Sequence, residues 1–182
     1  MKHIILIGFK NAGKSTIGKE LAKELKRPFV DLDEKIEEAY GQKVRMQPGR
    51  GGKILSCRAI MEQHGEPYFR ELEQKVLSEV LQNPESLVLA VGGGTPMSAA
   101  NGGLLSLHII VEVSAPQDVV FKRIMIKGKP AFFPENEEPE DGFQKLWNER
   151  NPVFKKLANV AVENNGSVES AVSELMQKLK NL

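Results

Sequence analysis

The first sixteen residues restrict what this chain can fold into more than any other stretch. An apolar, β-branched run, Ile4-Ile5-Leu6-Ile7, enters Gly8; four residues follow, then Gly13-Lys14-Ser15-Thr16 and an amphipathic segment. This is the G-x-x-x-x-G-K-[ST] phosphate-binding loop, in the strand-before, helix-after context that distinguishes it from a chance glycine turn. Glycines let the backbone wrap a polyphosphate and aim its N–H groups inward. The next helix adds its N-terminal dipole, Lys14 a mobile cation for the β and γ phosphates, and Ser15 a hydroxyl for Mg²⁺. Asn11, Ala12, Gly13, Lys14, Ser15 and Thr16 are therefore the candidate nucleotide contacts. The loop implies a bound nucleoside triphosphate and leaves open what receives the phosphate.

Further along, strand and helix patterns alternate. Residues 14–26 read as a helix, with Ile17, Leu21, Ala22 and Leu25 on one side, and Phe29-Val30-Asp31 as a short strand. Asp33 to Tyr40 is helical, with Gly41 as its C-cap. Residues 41–55 read as a loop. A short helix from Ser56 to His64 is followed by a longer one opened by Gly65-Glu66-Pro67. The continuous apolar run Leu87 to Val91 is a strand covered on both faces, and it ends in Gly92-Gly93-Gly94. A strand at Leu107–Val113 and a helix from Pro116 to about Ile126 come next. Residues 127–141 carry five acids and no core periodicity, so they form a candidate lid. A helix through Trp147 to Leu157, a strand at 160–162 and a helix at 168–179 complete the chain. The alternation predicts a three-layer α/β/α fold around a five-stranded parallel sheet. In such folds ligands bind outside the carboxyl ends of the strands, where Gly8, Asp31 and the triple glycine all fall.

At 182 residues the chain is expected to be a single domain, with an acceptor-binding region at about 32–66 and the lid at about 127–141. A net charge of +1 gives no global field toward nucleic acid or an anionic membrane. No stretch approaches the ~20 apolar residues of a membrane span, and Ile4–Ile7 is too short for a signal peptide. The lone Cys57 cannot close an internal disulfide and fits a reducing cytoplasm.

A second constellation addresses the acceptor. Phosphoryl transfer to an alcohol needs a carboxylate at the hydroxyl and an acid to steady Mg²⁺, and Asp31-Leu32-Asp33 can supply both. Helix N-capping is the competing role for Asp33. Arg70 and Arg150 are two of only seven arginines. Each suits either a planar grip on a carboxylate or a surface ion pair, and for Arg70 the pair would be with Glu66 or Glu73.

Four motifs in order then resemble the shikimate kinase family, a branch of the nucleoside monophosphate kinase group: GFKNAGKST (8–16), FVDLDEKIEE (29–38), GEPYFRELE (65–73) with VGGGTP (91–96), and ERNPVF (149–154). The resemblance covers nearly the whole chain. It implies ATP-dependent phosphorylation of the 3-hydroxyl of shikimate, with Mg²⁺ as cofactor. Lys14 and Ser15 would hold the phosphates and metal, and Asp31 would support Mg²⁺ through water. Asp33 would contact the acceptor hydroxyls and act as base, Arg70 and Arg150 would hold the carboxylate, and Gly93 would offer a backbone contact. Lys14, Asp33 and Arg150 form the implied catalytic set. The expected partners are ATP and a small hydroxylated acid, with no nucleic acid, no membrane and a monomeric state. Three departures stand out: a longer segment from Gln42 to Cys57, Lys129-Pro130 where the lid usually has an arginine before proline, and Phe154 in place of tyrosine. A gluconate kinase, or a nucleotide-binding protein that has lost turnover, is the alternative.

Overall fold

A computed structural model describes residues 2–45, 55–126 and 137–182. Five strands form one all-parallel sheet in the order β2-β3-β1-β4-β5: β1 (Ile4–Ile7), β2 (Phe29–Asp31), β3 (Val88–Ala90), β4 (Ile109–Ser114) and β5 (Val160–Glu163). The central strand β1 is buried at every position, and Ile4-Ile5-Leu6 pair in register with Val88-Leu89-Ala90 on one side and with Ile109-Ile110-Val111 on the other. β-Branched residues suit such a two-sided burial, because their stiff side chains pack on a pleated surface without losing much rotamer freedom.

Seven helices connect and cover the strands: α1 (Lys14–Leu25), α2 (Leu32–Arg45), α3 (Cys57–Leu81), α4 (Ala99–Leu105), α5 (Gln117–Met125), α6 (Pro139–Leu157) and α7 (Val168–Leu179). From β1 the chain passes over β3 to the edge strand β2, whereas the later crossovers run the other way. Right-handed crossovers therefore place α1 on the opposite face from α3, and α7 returns to pack beside α1. The result is the expected three-layer α/β/α architecture. The strand order reverses beside β1, so the crevice at its carboxyl end lies between the β1–α1 loop and the ends of β2 and β3. None of the described helices is long and apolar enough to cross a membrane.

The expected elements recur, with differences at several points. Gly41 is not a C-cap. It is buried inside α2, because Tyr40 and Val44 continue the apolar stripe toward α3 for another turn. The loop expected at 41–55 therefore begins no earlier than residue 46, and residues 46–54 lie outside the described residues. β4 starts at Ile109 instead of Leu107: the turn closing α4 donates Leu107 N–H to Leu104 and His108 N–H to Leu105, leaving Leu107 67% exposed. Helix α4, which the sequence patterns do not suggest, follows a 3₁₀ turn at Thr95–Met97. Of the lid region, residues 139–141 belong to α6, where Glu140 and Asp141 complement the helix dipole in its first turn. Residues 127–136, with Lys129 and Pro130, lie outside the described residues.

The helix pair expected around Gly65 is present as one element with a kink, Gly65 standing at φ 83°, ψ 163°. Its first half is tied to α2. Ser56 caps it by accepting from Ala59 N–H at 3.3 Å, Glu37 accepts from Cys57 N–H at 2.9 Å, and the Tyr40 hydroxyl bonds His64 Nε2 at 2.8 Å. Helix α2 and the first half of α3 thus form an arm standing beside the carboxyl edge of β2.

Candidate active site

The phosphate loop is held by its neighbours on both sides. Gly8, at φ 139°, lies so close to β4 that a Cβ would stand 2.2 Å from the Val113 carbonyl, which no side chain tolerates. Asn11 takes the left-handed conformation that asparagine accepts readily, and its amide donates to the Arg123 carbonyl at 2.9 Å. The Ala12 carbonyl accepts from Asn164 Nδ2 at 2.8 Å, just beyond β5. Gly13 closes the loop as the N-cap of α1, and Thr16 is exposed in that helix's first turn.

Lys14 turns back across the loop, donating to the carbonyls of Gly8 at 3.0 Å and Phe9 at 2.8 Å. Burial lowers its pKa to about 8, while Asp33 and Asp31 favour its charged form. Its cation is therefore poised: held by loop carbonyls, favoured by nearby carboxylates, poorly hydrated, and better served by phosphate oxygens.

Asp31 ends β2 and joins the two halves of the site. One oxygen accepts from the Ser15 hydroxyl at 2.6 Å, and the other accepts from the Asp33 backbone N–H at 3.1 Å. Because α2 begins at Leu32, the N-capping role considered for Asp33 falls to Asp31, and the Asp33 carboxyl is spared that bond. A Cβ at Gly92 would lie 3.2 Å from Asp33 Oδ1 and 3.1 Å from Thr95 Oγ1, so Asp33 faces the triple glycine. The crowding that strips water from its carboxyl raises its pKa, Asp31 adds to this, and Lys14 opposes it.

Arg70 forms both of the ion pairs foreseen for it, and they differ in kind. The pair with Glu66, at 3.2 Å, is on the surface. The pair with Glu73 reaches a carboxylate only 2% exposed, at 2.9 Å, and Glu73 in turn accepts from the buried Thr95 hydroxyl at 2.8 Å. This chain of bonds fixes the guanidinium against Gly94, where a Cβ would stand 2.8 Å from Nη2. Arg150, on α6, is half-buried, and its Nε has no hydrogen-bond partner among the described residues. Burial pushes its pKa down, Glu149 counters this, and the positive Arg70 pushes it down further. Two guanidinium groups close enough to repel favour an anion between them. Gly93 packs on the phosphate loop itself, where a Cβ would meet Gly8 O and Lys10 N at 3.3 Å. Lys129 lies outside the described residues.

The family model described as shikimate kinase matches residues 10–48 and 50–180. The chain belongs to the shikimate kinase family. A shikimate kinase of Sulfurihydrogenibium sp. is 35% identical over 183 residues, covering 99% of each chain. The structure of shikimate kinase from Acinetobacter baumannii in complex with shikimate superposes with a TM-score of 0.83 at 30% identity, covering 100% of this chain and 94% of that one. A gluconokinase from Sinorhizobium meliloti superposes with a TM-score of 0.59 at 14% identity, covering 99% and 92%, which shows a shared fold and no more.

Within the shikimate kinase frame, the donor set suits Mg²⁺. The metal takes hard oxygen ligands, keeps several waters, and is held by one or two protein groups plus substrate phosphates. Ser15 Oγ and the Asp31 carboxylate, already in contact, fit that pattern. No cluster of three or more histidine, cysteine or acidic residues able to form a closed metal cage occurs among the described residues. The sequence reading missed Glu73 as more than a surface partner, Thr95 as its buried anchor, and Asn164 as a clip on the loop. The motif GEPYFRELE contains Glu73, but nothing local announces that it is buried. Asn164 lies 152 residues from its partner and carried no signal.

Proposed function

We propose that this chain transfers the γ-phosphate of Mg²⁺-ATP to the 3-hydroxyl of shikimate. The observation that carries this reading is the convergence of Lys14, Asp33, the Glu73-anchored Arg70 and Arg150 at one sheet edge. A cation for phosphates, a carboxylate for a hydroxyl and paired guanidiniums for a carboxylate describe a small hydroxylated acid beside a triphosphate. Arg70 and Arg150 hold the acid's carboxylate and orient its ring. Asp33 accepts the proton of the hydroxyl as its oxygen bonds to the γ-phosphorus. The bond from that phosphorus to the β,γ-bridging oxygen breaks, and ADP leaves. Lys14 exchanges its loop carbonyls for phosphate oxygens and offsets the charge that builds on the bridge. Mg²⁺, held by Ser15 and by Asp31 through water, neutralises the phosphates when bound. Lys129 is the lid cation in this scheme. Little covalent work falls to the protein: alignment of two bound reactants supplies much of the acceleration. Every side chain in the scheme comes from one chain, so a monomer suffices. We place it in the cytoplasm, where Cys57, its thiol pKa pushed up by burial and by Asp33 and Glu37, stays reduced.

ADP release with Mg²⁺-ATP tests the assignment across a panel of acids. Shikimate is expected to support turnover at least 100-fold above gluconate. Equal rates, or none with shikimate while a reference shikimate kinase works in parallel, sink the assignment.

A further inference from the structure

The two halves of the site are joined by an aromatic contact that the scheme above does not use. Phe9 is the second residue of the phosphate loop and is 7% exposed. Its ring lies flat on Trp147 of α6, with centroids 4.5 Å apart and planes 6° from parallel. Phe154 meets the same ring edge-on at 5.2 Å, and Phe143 closes the cluster, 6.0 Å from Phe9 and 5.7 Å from Trp147. Arg150 stands between these anchors on α6, three residues after Trp147 and four before Phe154, spacings that put all three toward one side of the helix.

Helix α6 alone does not place Arg150. Pro152 sits inside it and can give no N–H to the carbonyl of Asn148, so the helix is weakened at the turn that bears the arginine. Nor is the side chain held at Nε by any described residue. Phe9, meanwhile, touches both substrates' machinery: its carbonyl accepts from Lys14, and its ring carries Trp147. When Lys14 moves to a phosphate, its bonds to the Gly8 and Phe9 carbonyls are the ones exchanged.

We propose that Trp147 is a positioning residue for the acceptor: stacked on Phe9, it seats α6 on the phosphate loop and thereby sets the reach of Arg150 toward the acid's carboxylate. The proposal rests on the kinase reading above. It assigns to one flat aromatic pair the register between the donor loop and the acceptor arginine.

Steady-state kinetics of the wild type, Trp147→Phe, Trp147→Leu, Phe9→Leu and the double variant with Leu at both positions test it. Trp147→Leu is expected to raise KM for shikimate about 3- to 10-fold, the worth of a lost aromatic pair, with KM for ATP and kcat within about twofold. Trp147→Phe restores most of the loss. On KM for shikimate, the double variant should be no worse than the poorer single variant. Equal rises in both KM values, no rise, or additive single effects overturn the proposal. Trp147 is the only tryptophan, so its emission in the wild type gives a second readout if Trp147→Leu does not fold. Mg²⁺-ADP alone and shikimate alone should each shift it, and silence toward Mg²⁺-ADP contradicts the proposal. A wild type that turns over no shikimate removes the kinase reading itself and this inference with it. Normal wild-type turnover with an unaffected Trp147→Leu removes only the inference.

Discussion

Lys14 and Asp33 face each other across the boundary between donor and acceptor, and their protonation states set the working pH. In the proposed scheme, turnover needs Lys14 charged and Asp33 ionised. In the free protein Lys14 gives up its proton near pH 8, so kcat/KM for ATP should fall as pH rises through about 8. Phosphate oxygens favour the charged form, so the alkaline limb of kcat should lie at higher pH than that of kcat/KM. Coincident limbs would remove Lys14 as their cause. On the acid side, burial and the neighbouring Asp31 make Asp33 take up a proton above the ordinary carboxylate range.

The same raised pKa has a consequence for stability. The fold favours protonated Asp33, so its favourable contribution is complete below the ordinary carboxylate pKa and is lost as pH rises through the raised one. At neutral pH the ionised group is a cost. Asp33→Asn should therefore abolish turnover, by at least about 100-fold for loss of a general base, while leaving nucleotide binding intact and Tm no lower than the wild type. A lowered Tm with retained turnover would reverse both assignments. The Ser15–Asp31 pair was legible in the sequence because each closes a recognisable strand or loop. The Glu73–Thr95 bond was not, since its partners are 22 residues apart and only burial selects it.

Among the elements, the kink in α3 has the most direct bearing on the site. Gly65 occupies a region of backbone space that is essentially glycine's alone. A Cβ there would meet nothing closer than Pro67 Cδ at 3.7 Å, so room is ample and conformation is the constraint. Gly65→Ala should cost about 1–3 kcal/mol in urea unfolding. It should also raise KM for the acid, because Arg70 lies just beyond the bend. A stability within about 0.5 kcal/mol of the wild type would show that the chain bends there for another reason. This break was visible beforehand, with Gly-Glu-Pro reading as the start of a new helix. Helix α4 was hidden by Asn101-Gly102-Gly103, poor helix formers that form a helix because Leu105 is buried and the Gly102 N–H reaches Ser98 O at 2.8 Å. Gly41 misled in the opposite direction: tertiary burial extended α2 through a residue that, read locally, ends helices.

For the molecule as a whole, the sheet order brings distant motifs to one edge. β1 delivers the phosphate loop, β2 delivers Asp31, the first turn of α2 delivers Asp33, β3 delivers the triple glycine, and α3 and α6 bring an arginine each. The alternation of elements predicted this edge, because parallel strands with right-handed crossovers leave all their carboxyl ends together. The aromatic seat of α6 on Phe9 was not predictable, since Phe9, Phe143, Trp147 and Phe154 each look like ordinary core residues until they meet. What unites these parts is the claim that one carboxylate-gripping acceptor site lies in line with one γ-phosphate. Phosphorus NMR of the products of Mg²⁺-ATP and shikimate tests that claim most directly. One new phosphomonoester on the 3-hydroxyl is expected, formed in equal amount with ADP. Phosphate on another hydroxyl, or ADP with only inorganic phosphate, would contradict it.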